Sequence, residues 1–397
     1  MRISTAEQFQ SGINAIHQQQ QKLSRTQQQL ATGQRMLSPS DDPAGAVQSL
    51  ALRKSLGELD QYARNADAAN ARLAQQETVL ADMGQLLQRA RELTVQAANA
   101  VQNEESRAAI ASELRQINES LLAAANTRDA GGEYLFAGHR SDTQPFVRQA
   151  DGSVGYRGDA GLRKVALSAD RTITVGANGD ALMSIPRGNG SFRVDPAAGN
   201  QGSARVMSAT LSAGPVAAET FTIAFTAADA YEVRDAADSV VATGSYQAGS
   251  VIDVAGRAVV LSGEPQPGDA FVVTPAGRGS VFDMLDALAA GLADAGDGAA
   301  GARQAQHAAT NGLLDLDQAL GSLLDARTDV GGRLNAVEDQ LGRNDDQRLR
   351  LETRLSEIED LDYAEAIGRF QLQQVALQAA QQTYVQLSRL SLFDYLR

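Results

Sequence analysis

The sequence predicts an α+β protein: a long helical rod, a bundle or coiled coil formed by the N- and C-terminal segments, carrying a β-rich inserted domain. Three observations predict it. Residues 1–136 and 280–397 place apolar side chains at three- and four-residue spacing with few interruptions. Residues 137–279 change character, with more Gly, Val and Thr and frequent turns. The apolar columns at the two ends match, so distant segments can bury their faces against each other.

The bulk numbers set bounds first. At 397 residues the chain has room for two or three domains. Cysteine is absent, which removes disulfides, thiolate metal sites and cysteine nucleophiles together. The net charge of −13 argues against a nucleic-acid partner, because phosphates would be repelled. That charge is uneven: residues 1–40 carry +3 and residues 363–397 carry +1, which leaves −17 between them. No segment approaches the roughly 18 consecutive apolar residues of a membrane span. The start, "MRISTAEQFQSG", shows no apolar stretch of a secretory signal. Export on an uncleaved N-terminus stays open.

Residues 1–42 form the first segment, an N-terminal assembly helix. Phe9, Ile16, Leu23 and Leu30 lie seven apart, and four positions after each come Ile13, Gln20, Gln27 and Gln34. The chain then breaks in "LATGQRMLSPSDDPAGAVQ" (30–48), which holds Pro39 and Pro43. Asp42 suits an N-cap, and Pro43 suits the first helical position, where a missing N–H costs nothing.

Residues 43–136 are the N-terminal half of the rod. From Leu59 the stripe runs Tyr62, Ala66, Ala69, Leu73, Gln76, Leu80, Met83, Leu87 and Ala90, and Thr94, Ala97 and Val101 continue it. A helix over 43–101 spans ~85 Å at 1.5 Å per residue, too long for the interior of a compact globule. A second helix starts at Asn103 as N-cap, carries Ile110, Leu114, Ile117 and Leu121, and ends where Gly131 and Gly132 stop it.

Residues 137–279 are the β-rich insertion. Phe221, Ile223 and Phe225 alternate with Thr and Ala. "RAVVLSGEPQPGDAFVVTP" (257–275) reads as strand, turn, strand, and residues 177–179 and 188–190 mark further turns. Residues 280–362 are the C-terminal half of the rod. After the small-residue linker "GLADAGDGAAGA" (291–302) a seam runs through Leu334, Val337, Leu341, Leu351, Leu355 and Ile358, with Asn344 and Arg348 as polar exceptions that either set register or mark a pause in the seam. The charged run from Glu338 to Asp362 reads as a solvated face with i,i+4 pairs.

Residues 363–397 form a C-terminal assembly helix. Tyr363, Phe370, Leu377 and Tyr384 are again seven apart, followed at four positions by Ile367, Gln374, Gln381 and Ser388. Gln-rich helices also produce such columns by chance. Taken at face value, each end has too few apolar side chains to offset the entropy of ordering some 35 residues. Such ends become ordered when neighbouring copies cover them, or when the two ends pair within one chain. The expected assembly interface is therefore Phe9, Ile13, Ile16, Leu23 and Leu30 with Tyr363, Ile367, Phe370, Leu377 and Tyr384, and Pro39, Asp42 and Pro43 divide it from the rod.

These residues resemble a known family. "LATGQRMLSPSDDPAGAVQ" resembles the N-terminal signature of the flagellin superfamily, a Leu-x-x-Gly stretch leading into Asp-Asp-Pro-Ala-Gly. "NTRDAGGEYLFAGHRSDTQPF" (126–146) is similar to the hook-associated branch of that superfamily, at the hook–filament junction; flagellins usually carry a different stretch there. The tail "LDYAEAIGRFQLQQVALQAAQQTYVQLSRLSLFDYLR" (361–397) fits the same branch, which typically closes on a Ser-Leu-Phe-type motif. The likeness covers roughly 1–146 and 310–397.

The resemblance implies a flagellin-like helical bundle and a structural role. It implies export through the flagellar type III apparatus without cleavage, after a cytoplasmic export chaperone has held the C-terminal region. Outside the cell, the terminal helices would form an inner tube and the β domain would project outward. Self-associated copies in one layer would join the other hook–filament junction protein to flagellin. A flagellin-type filament subunit is the alternative reading, and a binding module built on the β insertion is a third.

Catalytic chemistry finds no support in the sequence. His17, His139 and His307 are far apart with no ligand at metal spacing, so no metal or cofactor is expected. No nucleophile elbow is present, and the glycines of "GGEYLFAG" lack the Lys-Ser/Thr of a phosphate loop. No enzyme activity, nucleic acid or membrane partner is expected.

Overall fold

The structure, a computed structural model, describes residues 5–99, 102–197, 199–212 and 219–395, with residues 5, 6, 8, 9, 299 and 387–395 described by their backbone alone. The helices are α1 (Thr5–Thr32), α2 (Pro43–Ala97), α3 (Glu104–Ala125), α4 (Gly179–Met183), α5 (Val281–Ala293), α6 (Gly298–Glu359) and α7 (Tyr363–Tyr395). The α+β class holds: helical terminal regions enclose, in sequence, a central region of antiparallel sheets. The chain packs as two compact units, one of residues up to Arg64 with those from Asp339 onward, the other Asn65–Glu338. The division falls inside α2 and α6, so it does not follow the five sequence segments.

In the unit Asn65–Glu338 the stripe of α2 is the core. Ala66, Ala69, Leu73, Leu80, Met83, Leu87, Ala90 and Ala97 are buried, as are Gln76 and Thr94. Gln76 is tolerated there because its Nε2 donates to the Val175 carbonyl at 3.0 Å. α6 runs antiparallel beside α2, tied by Arg327 to Glu77 at 2.6 Å and by Arg91 to Asp317 at 2.7 Å. α2 ends at Ala97, short of the expected 101, and Val101 lies outside the described residues. Asn103 caps α3, accepting from the Ser106 amide at 2.8 Å, and Ile110, Leu114, Ile117 and Leu121 are buried.

α3 ends at Ala125 rather than at Gly131–Gly132. The Asn126 side chain captures the backbone of Phe146, donating to its carbonyl at 2.9 Å and accepting from its amide at 3.0 Å. That pair of bonds draws the chain out of the helix. Gly132 instead closes a turn at φ +82°, donating to the Asp129 carbonyl at 2.9 Å. Arg72 of α2 pairs with Asp129 and Glu133, which fastens this loop to the helix. Phe146 packs its ring 5.2 Å from Tyr156 and 5.3 Å from Phe282 of α5. The 126–146 stretch is thus a clamp between α2, α3 and α5.

The strands are β1 (Phe146–Arg148), β2 (Val154–Tyr156), β3 (Lys164–Ala166), β4 (Thr172–Thr174), β5 (Ser184–Pro186), β6 (Phe192–Pro196), β7 (Arg205–Leu211), β8 (Phe221–Ala227), β9 (Ala230–Arg234), β10 (Val240–Ser245), β11 (Val251–Asp253), β12 (Arg257–Ser262), β13 (Ala270–Pro275) and β14 (Arg278–Ser280). A five-stranded sheet in the order β10-β9-β8-β13-β6 and a three-stranded sheet β11-β12-β7 share one core, in which Phe192, Phe221, Ile223 and Phe271 meet Val206, Ile252, Val259 and Leu261. β1 pairs with β2, β3 with β4 and β14 with β5.

Two details depart from the sequence reading in this region. β12 and β13 are strands joined by a turn, but each enters a different sheet. Buried Asp269 holds that crossing, accepting from the amides of Gln201, Gly202 and Gln266 at 2.6, 2.9 and 2.8 Å. Residues 177–179 do not form a simple turn: Asn178 caps α4, accepting from the Asp180 amide at 3.0 Å.

The supposed linker 291–302 is mostly helix, interrupted only at 294–297. Further along α6, Val337 and Asn344 are buried and Leu341, Arg348, Leu351, Leu355 and Ile358 half-buried. Asn344 accepts from Gln340 Nε2 at 3.0 Å, and Arg348 pairs with Asp60. The charged run 338–362 closes no i,i+4 ion pair among the described residues; Arg348 and Glu359 pair instead with Asp60 and Arg53 of α2.

Candidate assembly interface

The unit formed by the two ends contains a break in each half, and the breaks bind each other. Gly33 takes φ +72° and ends α1. The Leu361 amide then donates to the Gly33 carbonyl at 2.9 Å, and the Arg35 amide to the Glu359 carbonyl at 2.7 Å. The Gln29 side chain donates to the Arg35 carbonyl at 2.6 Å, and Arg35 Nε to the Ile358 carbonyl at 2.9 Å. Leu361 is buried. The break between α1 and α2 is therefore the counterpart of the one between α6 and α7.

Two adjacent aspartates build the turn at Pro39. Asp41 accepts from the amides of Leu37 and Ser38 at 3.0 and 3.2 Å and pairs with Arg25 at 2.6 Å. Desolvation pushes its carboxyl up, but those amides, the Ser38 hydroxyl and Arg25 outweigh it and hold the group below its ordinary range. Asp42 accepts from the Gly45 amide at 2.9 Å, with Pro43 the first residue of α2. Asp362 does the same for α7, accepting from Ala364 and Glu365 at 2.9 and 3.1 Å.

Beyond the breaks, α1 and α7 lie antiparallel. Gln19 Nε2 donates to the Gln373 carbonyl at 3.2 Å, and a Cβ on Gly12 would sit 3.3 Å from the Tyr384 ring. Ile13, Ile16, Leu23 and Leu30 are half-buried on the α1 side, and Phe370, Leu377 and Tyr384 on the α7 side. Phe9 lies in α1 with its side chain outside the described residues. Tyr363 and Ile367 are exposed, although the Tyr363 hydroxyl sits 2.9 Å from where a Cβ on Gly33 would be.

Of the column four positions after each heptad residue, Ile13 is half-buried and the rest of the described side chains are not. Gln20, Gln27 and Gln34, and likewise Ile367, Gln374 and Gln381, are exposed; Ser388 lies outside the described side chains. The covered column lies three positions after each heptad residue: Gly12, Gln19, Thr26 and Gly33 on α1, and Ala366, Gln373 and Ala380 on α7. A heptad column has neighbours at both three and four positions, and the smaller one lets two backbones approach. Gly12, Gly33, Ala366 and Ala380 are small, but Gln19 and Gln373 are the same residue type as Gln20 and Gln374, so size alone does not separate the two columns in the sequence.

α7 keeps apolar side chains outside this face. Leu372 and Val375 are 73% and 63% exposed, and Tyr363, Ile367 and Val385 are exposed with them. At about 100° per residue these five side chains spread over roughly half of the circumference, among exposed Gln residues, with four charged residues among 33.

Among the described residues, no group of three His, Asp or Glu could hold a metal ion, and no helix is long and apolar enough to cross a membrane. His17 and His139 are exposed.

The bacterial flagellin N-terminal helical region matches residues 3–141, and the C-terminal helical region matches residues 313–396. Flagellar hook-associated protein 3 of Escherichia coli is 25% identical over 395 residues, covering 99% of both chains. The crystal structure of FlgL from Xanthomonas campestris is similar with a TM-score of 0.72 at 30% identity, over 77% of this chain and 99% of that one. That of hook-associated protein 3 from Legionella pneumophila gives a TM-score of 0.74 at 28% identity, over 78% and 98%. With both ends matching the flagellin helical regions and the whole chain matching these proteins, the chain belongs to the flagellar hook-associated protein 3 (FlgL) family.

Proposed function

We propose that this chain is a structural junction subunit of the bacterial flagellum, self-associating in a layer that joins the other hook–filament junction protein to flagellin. One observation carries the reading: α7 leaves Tyr363, Ile367, Leu372, Val375 and Val385 exposed outside the face that α1 covers. Its remaining faces need neighbours, and further copies of α1 and α7 supply the same chemistry. The interface of this reading is Ile13, Ile16, Leu23 and Leu30 with Phe370, Leu377 and Tyr384, extended by the exposed Tyr363 and Ile367.

Similarity along 99% of a curated hook-associated protein favours this reading over a filament subunit. Export without cleavage, delivery by a cytoplasmic chaperone and an extracellular place at the junction belong to the same proposal. So does a purely structural role, without catalysis.

Deleting the gene tests it. The deletion strain is expected to secrete unpolymerised flagellin and to build no filament. Normal filaments on that strain, seen by electron microscopy, would remove the reading.

A further inference from the structure

Residues 339–350 of α6 carry, besides Arg348, charges that close no ion pair among the described residues. Asp339 and Arg343, and Asp346 and Arg350, have the spacing that closes ion pairs on a helix, yet all four are exposed and none forms one among the described residues. At about 100° per residue, they share an arc with Gly342 and Leu349, which is 65% exposed. That arc points away from the side on which Arg348 reaches Asp60.

α2 has an outward arc of the same kind. Val47 and Leu50 are 71% and 70% exposed, and Lys54, Gly57 and Glu58 continue the row. This arc is opposite the side carrying buried Ser49 and Leu59. Lys54 and Glu58 reach each other at 3.8 Å on open surface, a contact of little strength.

The two arcs are complementary when laid antiparallel. Leu50 then meets Leu349, Lys54 meets Asp346 and Glu58 meets Arg343. Gly57 falls opposite Gly342 in the same register. Both glycines sit inside helices, where glycine is unfavourable relative to alanine, and a Cβ on either would touch nothing within 4 Å. Both places leave room for a second helix to approach closely.

We propose that the outward face of α2 in one copy packs on the outward face of α6 in the next. α2 and α6 are antiparallel within the chain, as the Arg53–Glu359 and Asp60–Arg348 pairs show. Copies side by side in one orientation therefore present the two faces antiparallel. The contact joins two different patches, so it propagates into a ring or helical layer instead of stopping at a pair. The inference rests on the assembly reading and adds a second, lateral contact to that of α1 and α7.

The absence of cysteine makes a clean test possible. The full chain carrying Leu50→Cys and Leu349→Cys is expressed in the parent bacterium lacking its own copy, and isolated flagella are oxidised. The expected result is a ladder of dimers, trimers and higher species, while either single variant gives no species beyond a dimer. Swimming cells whose double variant gives no ladder overturn this contact and leave the assembly reading intact. Normal swimming of the bare deletion strain overturns the assembly reading itself. If the cysteine variant is not incorporated, charge exchange decides: Lys54→Glu and Asp346→Lys each lose incorporation, and combining them restores it. A combined variant no better than the singles overturns the proposal.

Discussion

Gly33 and Leu361 join the two breaks of the chain, the Leu361 amide donating to the Gly33 carbonyl at 2.9 Å. They are far apart in sequence, and the bond places the start of α7 beside the end of α1. The antiparallel course of the terminal helices begins at this point.

Gly33→Ala is expected to loosen the pairing of the breaks. The residue holds φ +72°, and a Cβ there would lie 2.9 Å from the Tyr363 hydroxyl. Strain of this kind costs about 1–3 kcal/mol. Urea denaturation of the purified chain, followed by hydrogen exchange at residues 30–42, reads the change. Unaltered protection there would contradict it.

Phe370→Asp is expected to separate α1 from α7 and block incorporation into the flagellum, while Asn65–Glu338 stays folded. The lost burial and the added charge cost about 2 kcal/mol or more at a half-buried site. The thin interface of α1 and α7 should also make the wild-type ends the first sites of limited proteolysis, near 1–40 and 363–397. Mass spectrometry that finds these ends intact while other regions are cut would count against this account.

Asp41 makes the break sensitive to acid. Its folded carboxyl lies below the ordinary range, so its stabilisation is present above the unfolded value of about 3.9 and is lost as pH falls through the depressed folded value. Limited pepsin digestion between pH 5 and 2 is expected to show cleavage near 33–42 rising in that window. Asp41→Asn should be more open at pH 5 and lack the acid step; a wild-type-like profile for this variant would argue against the assignment.

His307 gives the other unit a milder pH dependence. Desolvation first, then the neighbouring positive charges of Arg303 and Arg205, hold its pKa down, and its ring lies 6.5 Å from that of Phe271. A depressed histidine pKa favours the neutral form, so stability is full above the unfolded value of about 6.5 and declines as pH falls toward the folded value. Urea midpoints at pH 7.5 and 5 should differ less for His307→Phe than for the natural chain. An equal difference in both would remove this role.

Local chemistry made much of the architecture legible. Asp42 and Asn103 are N-caps by residue type alone, and the α2 stripe from Ala66 to Ala97 is buried because a 3.6-residue period places it on one side of the helix. The seven-residue spacing of apolar side chains at both ends is a sequence feature of the same local kind. What lies outside a local window was not. Gly131–Gly132 suggests a helix end, but Asn126 ends it earlier by binding Phe146, twenty residues away. Ala258 and Phe271 look alike in sequence context, yet their strands enter different sheets, because sheet order is decided by partners far along the chain.

By itself, then, the sequence determined which segments are helical, where they are capped and which heptad columns are apolar, because these depend on residues within one or two turns. Only the tertiary structure decided that Gly12, Gln19, Ala366 and Gln373, rather than Gln20, Gln27, Ile367 and Gln374, complete the covered faces. Both columns flank the heptad residues equally in sequence. The choice comes from how closely two backbones can approach, and that distance exists only once the second helix is in place.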